Sequence, residues 1–167
     1  MQEKDIKIID NFLDLEYLNN LKTLIFSNKF SWFFVDGLGT LDDNVYYHFQ
    51  HLLYDNNRIN SPFFDEFELL FSKLDIKSLI RVRINLTLNL NKEIESAYHV
   101  DQTFDHKTAI FYFHTTNGKT ILKNENQSES EIDCVENRML IMNKSILHKS
   151  QFCTDNKRRI IMNINYF

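Results

Sequence analysis

The stretch Ile80 to Leu90, IRVRINLTLNL, constrains the fold more than any other part of the chain. Val82, Ile84, Leu86, Leu88 and Leu90 alternate with Arg81, Arg83, Asn85, Thr87 and Asn89. A period of two places successive side chains on opposite faces, so the segment is predicted to be a strand with one apolar and one polar face. Arg81, Arg83 and Asn85 read first as a solvated strand face. The length of that polar face raises a second reading, the lining of a wet cavity.

Upstream, the period is helical. Tyr17, Leu18, Leu21, Leu24 and Ile25 follow Asp14, a residue suited to cap a helix, and predict a first helix. Ser61 as N-cap and Pro62 at the first helical position predict a second one, with an apolar stripe of Phe63, Phe64, Phe67, Leu70, Phe71 and Leu74 that must pack on a partner. Downstream come short β-like runs, TAIFYFH, GKTILK, EIDCV, RMLIMN and RRIIMNINYF, separated by polar punctuation. The polar NENQSES segment reads as a hairpin tip, because strand-like runs continue on both sides. Helices followed by many short strands predict a mainly β protein with supporting helices, the helices packed outside a β-sandwich or jelly roll. No repeat or linker divides the chain. It is expected to be one domain over 1–167, with a mainly helical support region at 1–78 and the jelly-roll core at 79–167.

At 167 residues such a domain buries roughly 68–70% of its unfolded surface and needs no disulfide or metal to hold it together, so a metal would be present for chemistry. Fifteen Phe and seven Tyr predict an aromatic-rich core. The net charge is −4 and, apart from Lys157-Arg158-Arg159, the basic residues are scattered, so no broad nucleic-acid footprint is expected. A small cationic groove remains compatible with this. Cys134 and Cys153 lack C-x-x-C spacing, and Cys134 reads as a small buried hydrophobe; with no leader-like start, the expectation is reduced thiols in the cytoplasm. No apolar run approaches the roughly 20 residues that span a membrane.

Candidate chemistry centres on SAYHVDQTFDH. On a strand end His99 and Asp101, spaced i and i+2, share one face and can hold one ion together. An H-x-D triplet alone is common by chance. His148, in NKSILHKSQ, supplies a third ligand. Two imidazoles and a carboxylate with an open opposite face suit non-haem Fe(II) and O2, with zinc as the second choice. Arg158 or Arg159 in the last strand would project into the barrel, and a buried guanidinium requires an anion. Its rigid fork fits the far carboxylate of a dicarboxylic cosubstrate that chelates the iron at its other end. Thr120 or Tyr112 is placed to add a hydroxyl donor. His48 and His51 can be drawn as a helical i, i+3 pair but lack a third ligand, so they read as structural or substrate-side residues; His106 and His114 are open to the same two readings, and a triad using His106 would leave the His99 and Asp101 pair unexplained.

HVD, TNGKT, ENRMLIMNKSILH and CTDNKRRIIMNINYF, in that order, resemble the core of the 2-oxoglutarate- and Fe(II)-dependent oxygenases, especially the small prolyl-hydroxylase-like members of phages and microbes. The resemblance covers about the C-terminal half, from Ile80 to Phe167. It implies a distorted double-stranded β-helix, a cupin-like jelly roll with N-terminal helices on its larger sheet. By the same resemblance His99, Asp101 and His148 would bind Fe(II). Arg159, immediately before the apolar run of the last strand, would bind 2-oxoglutarate, with Arg158 as the neighbouring alternative. The implied reaction uses O2, releases succinate and CO2, and hydroxylates a substrate: a protein side chain such as proline, a nucleobase or a metabolite. Lys119 departs from the pattern, standing where many relatives carry a second glycine. The alternative function is a non-catalytic jelly roll that binds a small molecule or partner, with a structural or vestigial metal site.

Overall fold

A computed structural model describes residues 5–37 and 47–167. The expected alternation is present. Strand β5 (Leu79–Leu88) lies beside β11 (Arg158–Tyr166), the central strand of the larger sheet, which also pairs with β6 (Lys107–Tyr112). Beyond β6 come β9 (Arg138–Met142) and β1 (Ile6–Ile9). Beyond β5 come β3 (Tyr47–Asp55), to which the short β4 (Arg58–Ile59) also pairs, and then β2 (Phe33–Asp36). The smaller sheet has the order β10 (His148–Gln151), β7 (Lys119–Lys123), β8 (Glu129–Asp133). All of the pairings are antiparallel.

Parity divides the larger sheet into two working faces. Val82, Ile84 and Leu86 of β5, Ala109 and Phe111 of β6 and Ile160, Met162 and Ile164 of β11 join one core cluster with the helical layer. The opposite parity turns Ile110, Tyr112 and Ile161 toward the smaller sheet, where they pack with Leu122 and Ile132. A one-residue slip would exchange these faces, so the double burial fixes the register of β11. Both faces of β11 are covered, which is why Ile160 to Tyr166 reads as a nearly continuous buried run.

The first helix, α1, spans Leu15–Ile25 and is capped by Asp14, whose carboxylate accepts from the Glu16 N–H at 2.8 Å. Leu18, Leu21 and Ile25 form its buried stripe against the larger sheet. Each such burial contributes roughly 1.5–3 kcal/mol. The second helical segment is shorter than its apolar stripe predicts, a 3-10 turn at Phe64–Phe67 followed by one α-turn, α2 (Glu68–Phe71). Its cap explains this. The Ser61 hydroxyl accepts from the Phe63 N–H at 3.1 Å and also bonds His51 Nε2 at 2.7 Å, holding residues 61–63 in a turn, and the next bond, Glu66 N–H to the Phe63 carbonyl, is the short i to i+3 type.

The expectation of a mainly helical region at 1–78 is corrected by β1 to β4, all of which join the larger sheet. His48 and His51 lie on a strand, not a helix. In YHFQHLLYD both parities carry aromatic or apolar residues, so the period of two is masked: Phe49, His51 and Leu53 face the core while His48 and Gln50 face the cavity. The NENQSES segment does turn between β7 and β8. Among the described residues no helix is long and apolar enough to cross a membrane.

Candidate active site

Between the two sheets lies a cavity of about 460 Å3. At one end are His99, Asp101 and His148, whose candidate ligand atoms all lie within 4.8 Å of one another. The two histidines come together through the backbone. His99 and His148 exchange both N–H to carbonyl bonds at 2.9 Å, an isolated antiparallel bridge, and their rings stand 4.6 Å apart. His99 is therefore held by a single bridge rather than by the strand end expected for it.

The ring nitrogens are arranged for metal binding. His148 Nδ1 faces the Ile146 carbonyl at 2.8 Å and His99 Nδ1 the Ala97 carbonyl at 3.1 Å, so a proton on each Nδ1 is held and each Nε2 keeps its lone pair. Burial, and then the neighbouring His148, pulls the His99 pKa below its usual value, which keeps that imidazole neutral. Asp101 has a fully buried side chain. Burial alone would raise its pKa, but the facing charge of Arg83, aided by His148, Asn163 and Arg81, outweighs this and holds the carboxyl well below the usual range. An ionised carboxylate beside two imidazoles whose Nε2 atoms are free is the donor set of an Fe(II) or Zn(II) site.

Four side chains orient that carboxylate. Oδ1 accepts from Arg83 Nη2 at 2.9 Å and Arg81 Nη2 at 3.2 Å, and Oδ2 from Asn165 Nδ2 at 3.0 Å and Asn163 Nδ2 at 3.1 Å. Arg81, Arg83 and Asn85 thus line the cavity rather than a solvated face, with Asp101, from the segment after the His99 bridge, lying against both arginines. The alternating polar residues of RVRINL and of MNINYF were the available signal for this network; the segment that brings Asp101 was not visible in them.

At the other end of the cavity Arg159 is buried, with 2% of its surface exposed. Its Nη1 donates to Ser150 Oγ at 2.8 Å and its Nη2 to Thr120 Oγ1 at 3.1 Å, while Nε has no partner. Thr120 Oγ1 also accepts from the Tyr112 hydroxyl at 2.8 Å. With both acceptor sites occupied, the Thr120 hydroxyl proton is left to donate to a group in the cavity. Tyr112 itself lies behind Thr120 and under the Arg159 guanidinium, 5.6 Å from its ring centre, and burial pushes its phenol up to about 12. Tyr112 is thus not a direct cavity contact. Arg158 points to the opposite face, 4.7 Å above the Phe26 ring, and does not line the cavity. Arg159 therefore enters the cavity and Arg158 does not, since neighbours on a strand face opposite ways. Lys119 pairs with Glu131 on the outer side of the smaller sheet. Ser150 carries no sequence signal, because HKSQ has no strand period; its position follows from pairing with β7.

The remaining histidines stay apart from the triad. His51 is a buried structural residue bonded to the Ser31 carbonyl and Ser61, His106 bonds the Phe104 carbonyl and Ser145, and His114 bonds the Arg158 carbonyl. His48 does line the cavity. Cys134 and Cys153 are free and buried.

No protein-family model matches the chain, and no curated protein matches it in sequence. Solved structures do match in fold. An oxidoreductase of the 2OG-Fe(II) oxygenase family from Burkholderia pseudomallei superposes with a TM-score of 0.74 at 11% identity, over 98% of this chain and 85% of that one. A prolyl hydroxylase from Trichoplax adhaerens, solved in complex with a hypoxia inducible factor peptide fragment, gives 0.71 at 13% identity, over 99% and 84%. A prolyl-4-hydroxylase from Pseudomonas putida gives 0.68 at 8% identity, over 97% and 92%. The chain has the distorted double-stranded β-helix fold of the 2-oxoglutarate- and Fe(II)-dependent oxygenases.

Proposed function

We propose that this protein is an Fe(II)- and 2-oxoglutarate-dependent oxygenase that hydroxylates a C–H bond of its substrate. The observation that carries the reading is that one cavity holds both His99, Asp101 and His148 and, at its other end, the buried Arg159. His99, Asp101 and His148 are the residues assigned to iron, and the donor set fits it. When bound, iron and 2-oxoglutarate supply the oxidising power, O2 and the cosubstrate being consumed as succinate, CO2 and a substrate hydroxyl are formed.

The chain's own residues prepare this chemistry. The Ala97 and Ile146 carbonyls fix the tautomers of His99 and His148. Asn163 and Asn165 hold one oxygen of Asp101, and Arg81 and Arg83 the other, so the carboxylate cannot rotate freely. Arg159, braced by Ser150 and Thr120, is assigned to the far carboxylate of 2-oxoglutarate, and the Thr120 hydroxyl adds a donor. Arg159 sits within a largely apolar wall that includes Ile110, Ile161 and Phe152, which strengthens a charge-assisted contact by excluding water. The two free, buried cysteines suit a reducing compartment such as the cytoplasm.

The test is cosubstrate turnover. Protein supplied with Fe(II), 2-oxoglutarate and O2 should release succinate slowly even without a substrate, and the His148→Ala variant should not. Succinate release equal in the two proteins would refute the assignment.

A further inference from the structure

Asp101 carries a single negative charge, yet two guanidinium groups, Arg81 and Arg83, converge on its Oδ1 at 3.2 and 2.9 Å. Each uses only Nη2 for this. The other nitrogens of both groups have no hydrogen-bond partner among the described residues, and both side chains line the cavity while only about a fifth exposed. A half-desolvated cation without a full counter-charge is costly to keep. Within the proposed function the imbalance grows. A divalent metal takes the Asp101 charge, and Arg159 and the metal between them take the two carboxylates of 2-oxoglutarate. Counting Arg81, Arg83, the metal, Asp101, the near carboxylate and Asp36, which also lines the cavity, leaves about one positive charge on the substrate side of the site, with Asp55 as a further acidic neighbour of Arg83. Lys149, the other cation nearby, is already paired with Glu95 and Glu129.

Uncharged partners also face this side. Asn85 Oδ1 and Asn163 Oδ1 are buried acceptors without donors, so the wall beside the arginines can take N–H or O–H groups from the same ligand. We infer that Arg81 and Arg83 select a substrate that carries an oxyanion, a carboxylate or a phosphate, and seat it beside the metal. This rests on the proposed function and deepens it by naming the chemical class of the substrate. Two guanidinium edges on adjacent positions of one strand face bind both oxygens of such a group in a fixed orientation.

The experiment uses full-length protein loaded with Mn(II), which is paramagnetic and does not drive O2 chemistry, and saturated with 2-oxoglutarate. Metal and 2-oxoglutarate binding are measured in the same samples by calorimetry. The probes are N-acetylglycine against its amide, for a carboxylate, and methyl phosphate against trimethyl phosphate, for a phosphate. Relaxation of each probe's methyl protons by Mn(II) reports binding near the metal. One anionic probe should bind at least about tenfold more tightly than its neutral counterpart, and the arm in which this occurs identifies the oxyanion. Arg81→Gln and Arg83→Gln should each weaken that binding about tenfold or more beyond any change in metal and 2-oxoglutarate affinity measured in the same samples, and Arg81→Lys should recover part of it. Arg81→Gln is the cleaner variant, since Arg83 lies closer to Asp101. If metal and 2-oxoglutarate bind but neither anionic probe is preferred, or the preference survives both Gln variants, the inference is overturned and the proposed function stands. If metal or 2-oxoglutarate does not bind, the proposed function itself fails.

Discussion

Gly118 lies so close to Arg159 that a Cβ added at position 118 would sit 2.7 Å from Arg159 Cδ and 2.9 Å from the Gln151 carbonyl oxygen. The glycine of the TNGKT turn is thus the space into which the arginine stem folds. Gly118→Ala must displace either that stem or the backbone of β10. We expect a loss of about 1–3 kcal/mol in stability, as overpacking typically gives, together with weaker 2-oxoglutarate binding. Denaturant titration and calorimetry check the two effects, and unchanged cosubstrate affinity would show that the contact does not position Arg159.

The two arginines of the last strand should separate cleanly. Arg159→Ala removes the cation at the end of the cavity and should weaken 2-oxoglutarate binding at least about thirtyfold, equivalent to roughly 2 kcal/mol, while metal affinity without cosubstrate stays near normal. Arg159→Lys should recover only part, because it keeps the charge but not the fork. Arg158→Ala loses a contact with the Phe26 ring and should change stability by no more than about 1 kcal/mol, with cosubstrate affinity unchanged. Calorimetry showing the large loss in the Arg158 variant instead would contradict the placement.

Metal binding should fail as a unit. His148→Ala and His99→Ala should each abolish tight Fe(II) binding in anaerobic titration, and the double variant should be no worse than either, since the ligands act together. Full occupancy in either single variant would remove that residue from the site.

The metal-free protein should lose stability on mild acidification. Burial is the chief cause pulling His48, His51, His99 and His114 below the ordinary imidazole value. A depressed histidine means that the unfolded chain takes up the proton first, so stability is fully present above about pH 6.5 and falls as the pH drops toward the folded values. His51 is the cleanest probe, being packed on Phe30 away from the triad. Urea unfolding at pH 7.5 and 5.5 should show a smaller pH difference for His51→Gln than for the parent chain; an equal difference would mean that His51 stays neutral or charged in both states.

Much of this site was legible because its parts sit on strong periods. The alternation in β5 placed Arg81, Arg83 and Asn85 on one side, and the adjacency of Arg158 and Arg159 required that only one enter the barrel. Parity says which residues share a face, however, and not what covers it. The solvated reading of Arg81 and Arg83 fails because Asp101, about twenty residues further along the chain, packs its buried carboxylate against both. His148–Gln151 carries no apolar alternation and becomes a strand only by pairing with Lys119–Leu122. Strand β3 was hidden for the opposite reason, apolar and aromatic side chains on both faces. Asn163 and Asn165 lay inside an apolar run, where two buried amides at one parity marked a polar wall; their target, Asp101, is more than sixty residues away.

The central claim is that one cavity holds a metal by His99, Asp101 and His148 and a dicarboxylate by Arg159 at the same time. Its most direct measurement is the visible absorption of the anaerobic Fe(II) protein as 2-oxoglutarate is added. Chelation of the metal by the cosubstrate should produce a weak charge-transfer band that saturates at one equivalent, is absent in His148→Ala even at high cosubstrate, and needs at least about thirtyfold more 2-oxoglutarate in Arg159→Ala, the factor that a loss of roughly 2 kcal/mol gives. Iron demonstrably bound with no band at saturating 2-oxoglutarate, or a band that forms equally well in Arg159→Ala, would contradict the account.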